Sequence, residues 1–157
     1  METDKTISKI LQGFQPACVV ITANELKVFD QLKQPADAEH VAENCHLDPE
    51  ATERLLNALT SLEIITKINN MYHLPQAAQN YLVTGGSHSM QQWIQLSADL
   101  YPVWSQLTTF IKSGILIKSI MEMLGGDPHK IRAFTHAMHD KALKATWMIA
   151  REIPIKH

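Results

Sequence analysis

Apolar residues recur at helical intervals along almost the whole chain, and the places where that rhythm breaks divide it into elements. Ile7, Ile10, Leu11 and Phe14 fall on one face of a short opening helix. Gln15-Pro16 starts a second helix, "ACVVITANELKVFDQL", with proline tolerated in its first turn. From Ala17 to Ile21 every residue of that helix is apolar. A helix without a polar face is expected to be buried on all sides, and in so short a chain a second copy is expected to supply part of the cover. After Gln34-Pro35, a short helix is predicted over 38–45. Asp48-Pro49-Glu50 is a strong helix start, with an aspartate cap and proline at the first helical position. Leu55, Leu56, Leu59 and Leu62 form the stripe of this next helix. "IITKI" and "MYHL" flank Asn69-Asn70, two β-prone runs about a tight turn, which predicts a hairpin. Helices followed by a hairpin are the order of a winged helix-turn-helix, spanning about 15–75.

A helical extension is predicted over about 77–153, within a single domain of 1–157. Trp93, Leu96 or Ser97, Leu100, Trp104, Leu107 and Ile111 lie along one face, and Pro102 should kink or divide that helix. Gly125-Gly126 stop the segment "ILIKSIMEML", and Asp127-Pro128 cap a closing helix. That helix, from Phe134 to Ile153, carries Ile131, Phe134, Met138, Ala142, Ala145 and Ile149 on one face, with Leu143 and Trp147 on another. The fold class expected is mainly α, a winged helix-turn-helix with a small β-hairpin plus additional long helices.

Composition narrows the function classes. With 157 residues, 45% hydrophobic and 19% charged, the chain suits one globular domain. A net charge of -2 gives no reason to expect a polyanionic partner. The winged-helix order raises DNA binding or a regulatory interaction role as the alternative function. Yet the segment 48–62, which would read the groove, sets Asp48, Glu50 and Glu53 against Arg54 alone, and the proposed wing offers only Lys67. Phosphates would repel such a helix, so no nucleic-acid partner is expected. No secretory signal and no apolar run of membrane length occur, so a cytoplasmic location without membrane attachment is the default.

Candidate chemistry is sparse. His136, His139 and Asp140 share the closing helix, but two imidazoles and one carboxylate make no complete metal site; they are expected to be polar residues at a helix or pocket edge. Gly85-Gly86 and Gly125-Gly126 fit helix stops, since neither lies in a G-x-G-x-x-G loop between strand and helix. Cys18 and Cys45, far apart and inside apolar patterns, are expected to be buried reduced thiols. No catalytic residue, metal ligand or cofactor ligand is assigned.

Taken together, the runs "GFQPACVVITANELKVFDQL" and "YHLPQAAQNYLV", the segment from Trp104 to Gly114, and "FTHAM" at 134–138 resemble the N-terminal region of the S-adenosylmethionine-dependent O-methyltransferases typified by the acetylserotonin and caffeic acid enzymes. The resemblance covers essentially the whole chain. It implies an intertwined homodimer and a dimerisation and acceptor-binding domain that is not catalytic by itself. S-adenosylmethionine would be held in the intact enzyme by a following Rossmann-like domain, absent from these residues, to which the closing helix would be the stalk. Carried over by alignment, Tyr101, Trp104, Leu107, Phe134 and Met138 are expected to face a small apolar or aromatic acceptor. Pro102 departs from the usual uninterrupted helix, and the segment 114–127 is shorter than is common. Relatives of the scaffold also run hydroxylation, decarboxylation or pericyclic chemistry.

Overall fold

The structure, a computed structural model, describes residues 2–115, 122, 125–128, 131–132, 134–139 and 142. The chain falls into two compact units, Met1–Gln91 and Gln92–His157.

In the first unit, α1 (Glu2–Gln12) leads into α2 (Phe14–Glu25) and α3 (Val28–Gln31). The single helix expected through Leu32 is therefore two. Leu26 and Lys27 turn the chain, their amides donating to the carbonyls of Thr22 and Asn24, and Lys27 takes the left-handed conformation at φ 58°. A cap of this kind is usually signalled by glycine, and periodicity is blind to it when lysine stands there. The turn lets Ala23 at the end of α2 and Val28 and Phe29 of α3 all enter the core.

Two further helices follow: α4 (Ala38–Cys45) and α5 (Pro49–Ser61). Their starts are built by aspartates. Asp37 accepts from the His40 amide and Asp48 from the Ala51 amide, each at 2.8 Å, which satisfies donors that a helix start leaves unpaired. At the end of α5, Glu63 is left-handed (φ 58°), its amide reaching the Thr60 carbonyl while Ile64 donates to Leu59 at 3.1 Å. This double bond pattern is a Schellman cap. Of the predicted stripe, Leu56 and Leu59 are fully buried and Leu55 and Leu62 partly so.

The hairpin forms as expected, pairing β1 (Thr66–Ile68) with β2 (Met71–His73) in antiparallel register. Asn69 and Asn70 both have positive φ, 49° and 64°, the requirement of a type I′ turn that matches the strand twist. Ala36 and Tyr72 exchange backbone hydrogen bonds of 3.1 and 2.7 Å, fastening the hairpin to the segment before α4. Tyr72 is buried against the core of Phe29, Leu32, Leu56, Leu59 and Ile65, and its hydroxyl donates to Asn57 Oδ1 at 2.9 Å. Then α6 (Gln76–Leu82) begins after Pro75. The following residues return to α3, where the Asp30 carboxylate accepts from the Thr84 amide (2.8 Å) and hydroxyl (2.7 Å), with Lys33 at 3.4 Å.

The second unit contains α7 (Gln91–Trp104) from its second residue onward and α8 (Leu107–Ser113). Pro102 sits inside α7, and the helix divides at Ser105-Gln106 rather than at the proline itself. Ser105 Oγ and Gln106 Nε2 turn back onto the Pro102 carbonyl at 2.7 and 3.2 Å, closing the end that the proline weakens. The buried positions of α7 are Ile94 and Leu96, not the full predicted face: Trp104, Leu107 and Ile111 are exposed. Gly114 ends α8 in the left-handed conformation, φ 68°. Pro128 and residues 134–139 are helical, and the Ile131 amide donates to the Asp127 carbonyl, the start expected for the closing helix. Its predicted face is only half buried at Phe134 and Met138, exposed at Ile131 and Ala142, and Ala137 is the buried residue. Most of 115–124, and Leu143, Ala145, Trp147 and Ile149, lie outside the described residues.

Asp48→Ala removes a side-chain cap and should cost about 1 kcal/mol, measured as a lower urea midpoint with unchanged m-value. Burial raises the Asp30 carboxyl, but the Thr84 hydroxyl and amide and Lys33 outweigh it and hold it below the ordinary carboxylate value. The unfolded chain therefore binds the proton more tightly. The stabilisation is fully present above the unfolded value and lost as pH falls through the lower folded value. Comparing urea midpoints at pH 6 and pH 3 should show that Asp30→Asn flattens the acid loss.

Candidate dimerisation and acceptor-binding surfaces

Two apolar surfaces stand out, one in each unit. The first lies on α1 and the start of α2. No residue of α1 is buried, and its stripe of Ile7 (52% exposed), Ile10 (71%) and Leu11 (66%) continues into Phe14 (54%). Helices of this length are marginal in water and rely on packing of an apolar face. On α2, Ala17 is exposed and Cys18, Val19, Val20 and Ile21 are half-buried; only Ala23 and Asn24 are buried. Within the single chain α2 is therefore covered on part of its surface only, as it must be if a second copy is to supply the remaining cover. Among the described residues, the core takes up one side of the helix through Val19 and Ala23.

The second surface carries the residues expected to face an acceptor. Tyr101 and Trp104 lie three residues apart on α7, so they share a helix face, and Leu107 opens α8; all three are exposed, Trp104 at 68%. Phe134 and Met138 lie four apart in a helical stretch and are half-buried. The structure thus groups the five as a run over 101–107 and a pair over 134–138. Ile111 and Ile115 extend the exposed apolar surface along and beyond α8.

Other chemistry is limited. Cys18 and Cys45 are free thiols, but half-buried rather than buried. Desolvation, with the Asp30 carboxylate adding to it, raises the Cys45 thiol above its ordinary value, which keeps it protonated and a poor nucleophile. His136 and His139 are exposed, and among the described residues no three metal-capable side chains converge. Asp140 and His129 lie outside the described residues. The cations of the reading segment and the hairpin are already occupied. Arg54 pairs with Glu50 one turn earlier. Lys67 contacts Glu53 Oε1 (3.3 Å) and Asn57 Oδ1 (3.2 Å) and lies 4.7 Å from the centroid of the Tyr72 ring. A phosphate would have to displace these acids, and Asp48 and Glu50 would remain beside it.

The described residues thus combine helices, one hairpin and an exposed apolar stripe on α1 and α2. Residues 8–84 match the family model of the O-methyltransferase dimerisation domain, and this stretch of the chain belongs to that family. The chain is 30% identical over 109 residues to the S-adenosyl-L-methionine-dependent methyl transferase PigF of Serratia sp., covering 66% of this chain and 30% of PigF. To the N,N-dimethyltransferase OxyT of Streptomyces rimosus it is 30% identical over 112 residues, 70% of this chain and 33% of OxyT. The solved structure of PigF with SAH superposes with a TM-score of 0.81 at 25% identity, over 96% of this chain and 48% of that one. The chain thus spans about a third of the length of these curated relatives.

Sequence reasoning placed the Ile7–Phe14 stripe on one helix face without assigning it to an interface, because periodicity does not tell which apolar face stays exposed. The Asp30–Thr84 clamp was missed, since 54 residues separate its members and neither belongs to a motif. In a gel-shift titration at low salt, duplex DNA should not be retarded in a salt-sensitive way, because the few cations near the hairpin are internally paired.

Proposed function

We propose that this chain is the dimerisation and acceptor-binding portion of a small-molecule S-adenosylmethionine-dependent methyltransferase. The α3–α5 helices and the β1–β2 hairpin act as a winged-helix scaffold. The observation that carries this reading is the exposed apolar surface of α1 and α2, which from Ile10 onward lies within the family match at residues 8–84. A second copy of the chain covers it, with Ile7, Ile10, Leu11 and Phe14 set against the Cys18–Ile21 side of α2 in an intertwined homodimer.

Tyr101, Trp104, Leu107, Phe134 and Met138 present an apolar wall suited to an aromatic or otherwise apolar acceptor. S-adenosylmethionine supplies an electrophilic sulfonium methyl in such enzymes. The described residues do not fit that donor: neither of their glycine pairs, Gly85-Gly86 or Gly125-Gly126, lies in a G-x-G-x-x-G loop, and none of their strands leads into a nucleotide loop. The donor therefore belongs to a part of the enzyme outside these residues. The wall contributes by holding the acceptor in one orientation and excluding water, and orientation alone supplies a large share of the rate in a two-reactant displacement. PigF and OxyT are named as methyltransferases, OxyT as an N,N-dimethyltransferase, so the acceptor atom in this protein is oxygen or nitrogen.

Light scattering should give twice the chain mass of 17.7 kDa. Val20→Asp should shift it to one chain mass or to insoluble material, because an unpaired charge in a closed contact is strongly unfavourable. An intact dimer from the soluble variant would place the interface elsewhere.

A further inference from the structure

The segment after α6 is tied back along that helix. His88 and Met90 donate backbone bonds to the carbonyls of Asn80 (3.0 Å) and Tyr81 (2.7 Å). Gly86 approaches so closely that a Cβ there would lie 2.4 Å from the Asn80 carbonyl oxygen. Gln91 closes the loop by donating from Nε2 to the Leu82 carbonyl at 3.0 Å. Residues 76–91 are thus one continuous unit of helix and strap.

What holds this unit to the rest is mostly polar. No residue of α6 is fully buried; Ala78 and Leu82 pack against the edge of the core, and Val83 of the strap enters it with 8% of its surface still exposed. Against α3 and its C-terminal turn, both Asp30 oxygens bond Thr84, and Gln79 Nε2 reaches the Lys33 carbonyl at 3.3 Å. Asn24 Nδ2 reaches the Gln91 carbonyl at 3.5 Å, a marginal bond. By contrast, α4, α5 and the hairpin share Val41, Leu56, Leu59, Ile65 and Tyr72, all at most 1% exposed. Segments with few buried apolar contacts open at lower free energy than the core and do so as cooperative units.

We propose that α6 and the strap over 83–91 form a flap that opens independently of the core, with Asp30 as its latch on Thr84. The latch is a carboxylate accepting two hydrogen bonds from a single residue, so it is lost or kept as a whole. The flap ends at Gln91, the first residue of α7, the helix on which Tyr101 and Trp104 stand. The proposed function assigns that helix to the acceptor wall. That assignment can fail without affecting the flap, whose test needs no acceptor.

Native-state hydrogen exchange on the 157-residue chain tests it. The amides of His88 and Met90 should exchange through one shared opening, faster than the Tyr72 and Ile64 amides of the core. Asp30→Ala should speed His88 and Met90, which do not touch Asp30, by about tenfold or more while leaving Tyr72 and Ile64 unchanged. Thr84→Val, which keeps the amide bond to Asp30, should give a smaller acceleration in the same two amides. Exchange of His88 and Met90 at the core rate in the unaltered chain would overturn the proposal. An equal rise at Tyr72 and Ile64 in Asp30→Ala would do so too, as would no change at His88 and Met90.

Discussion

One core can be covered from only so many sides, and that limit shapes everything else in this chain. Phe29, Leu32, Leu56, Leu59, Ile65 and Tyr72 close around one another between α3, α5 and the hairpin. Among the described residues, the apolar stripe of α1 and Ala17 of α2 stay exposed once that core has closed. Burying such side chains is worth on the order of 2 kcal/mol each, so a surface of this kind is a strong driving force for association. The family match over residues 8–84 agrees with where that surplus lies.

The polar interactions divide according to distance along the chain. Short-range ones make helix ends: Asp37 and Asp48 cap the starts, while Lys27, His46 and Glu63 adopt left-handed turns that close the stops. Each is a side chain or backbone group answering a donor or acceptor that the helix itself leaves open. Long-range ones, such as the Asp30–Thr84 clamp and the Ala36–Tyr72 pair, dock finished elements onto each other. The first kind decides which elements exist, and the second decides how firmly each is held.

The same division explains the balance of charge around the hairpin. Lys67 and Arg54 are engaged by Glu53, Asn57 and Glu50, so the helix-and-hairpin order presents an internally neutralised, net acidic face. The exposed apolar residues, by contrast, lie on α1, α2, α7 and α8.

Much of this was written locally. Alternating patterns, the Asp48-Pro49 start and the Asn69-Asn70 turn determined helix, hairpin and their order, because capping and turn geometry depend on neighbours a few residues apart. The resemblance carried by "GFQPACVVITANELKVFDQL" pointed to the family before any fold was built. Burial was another matter. That α2 is covered on one side only, that Ile94 and Leu96 rather than Trp104 turn inward on α7, and that Lys27 breaks a seemingly continuous helix were decided by tertiary packing. Periodicity names the apolar residues of a helix, but only the partners assembled from distant sequence determine which of them lose water.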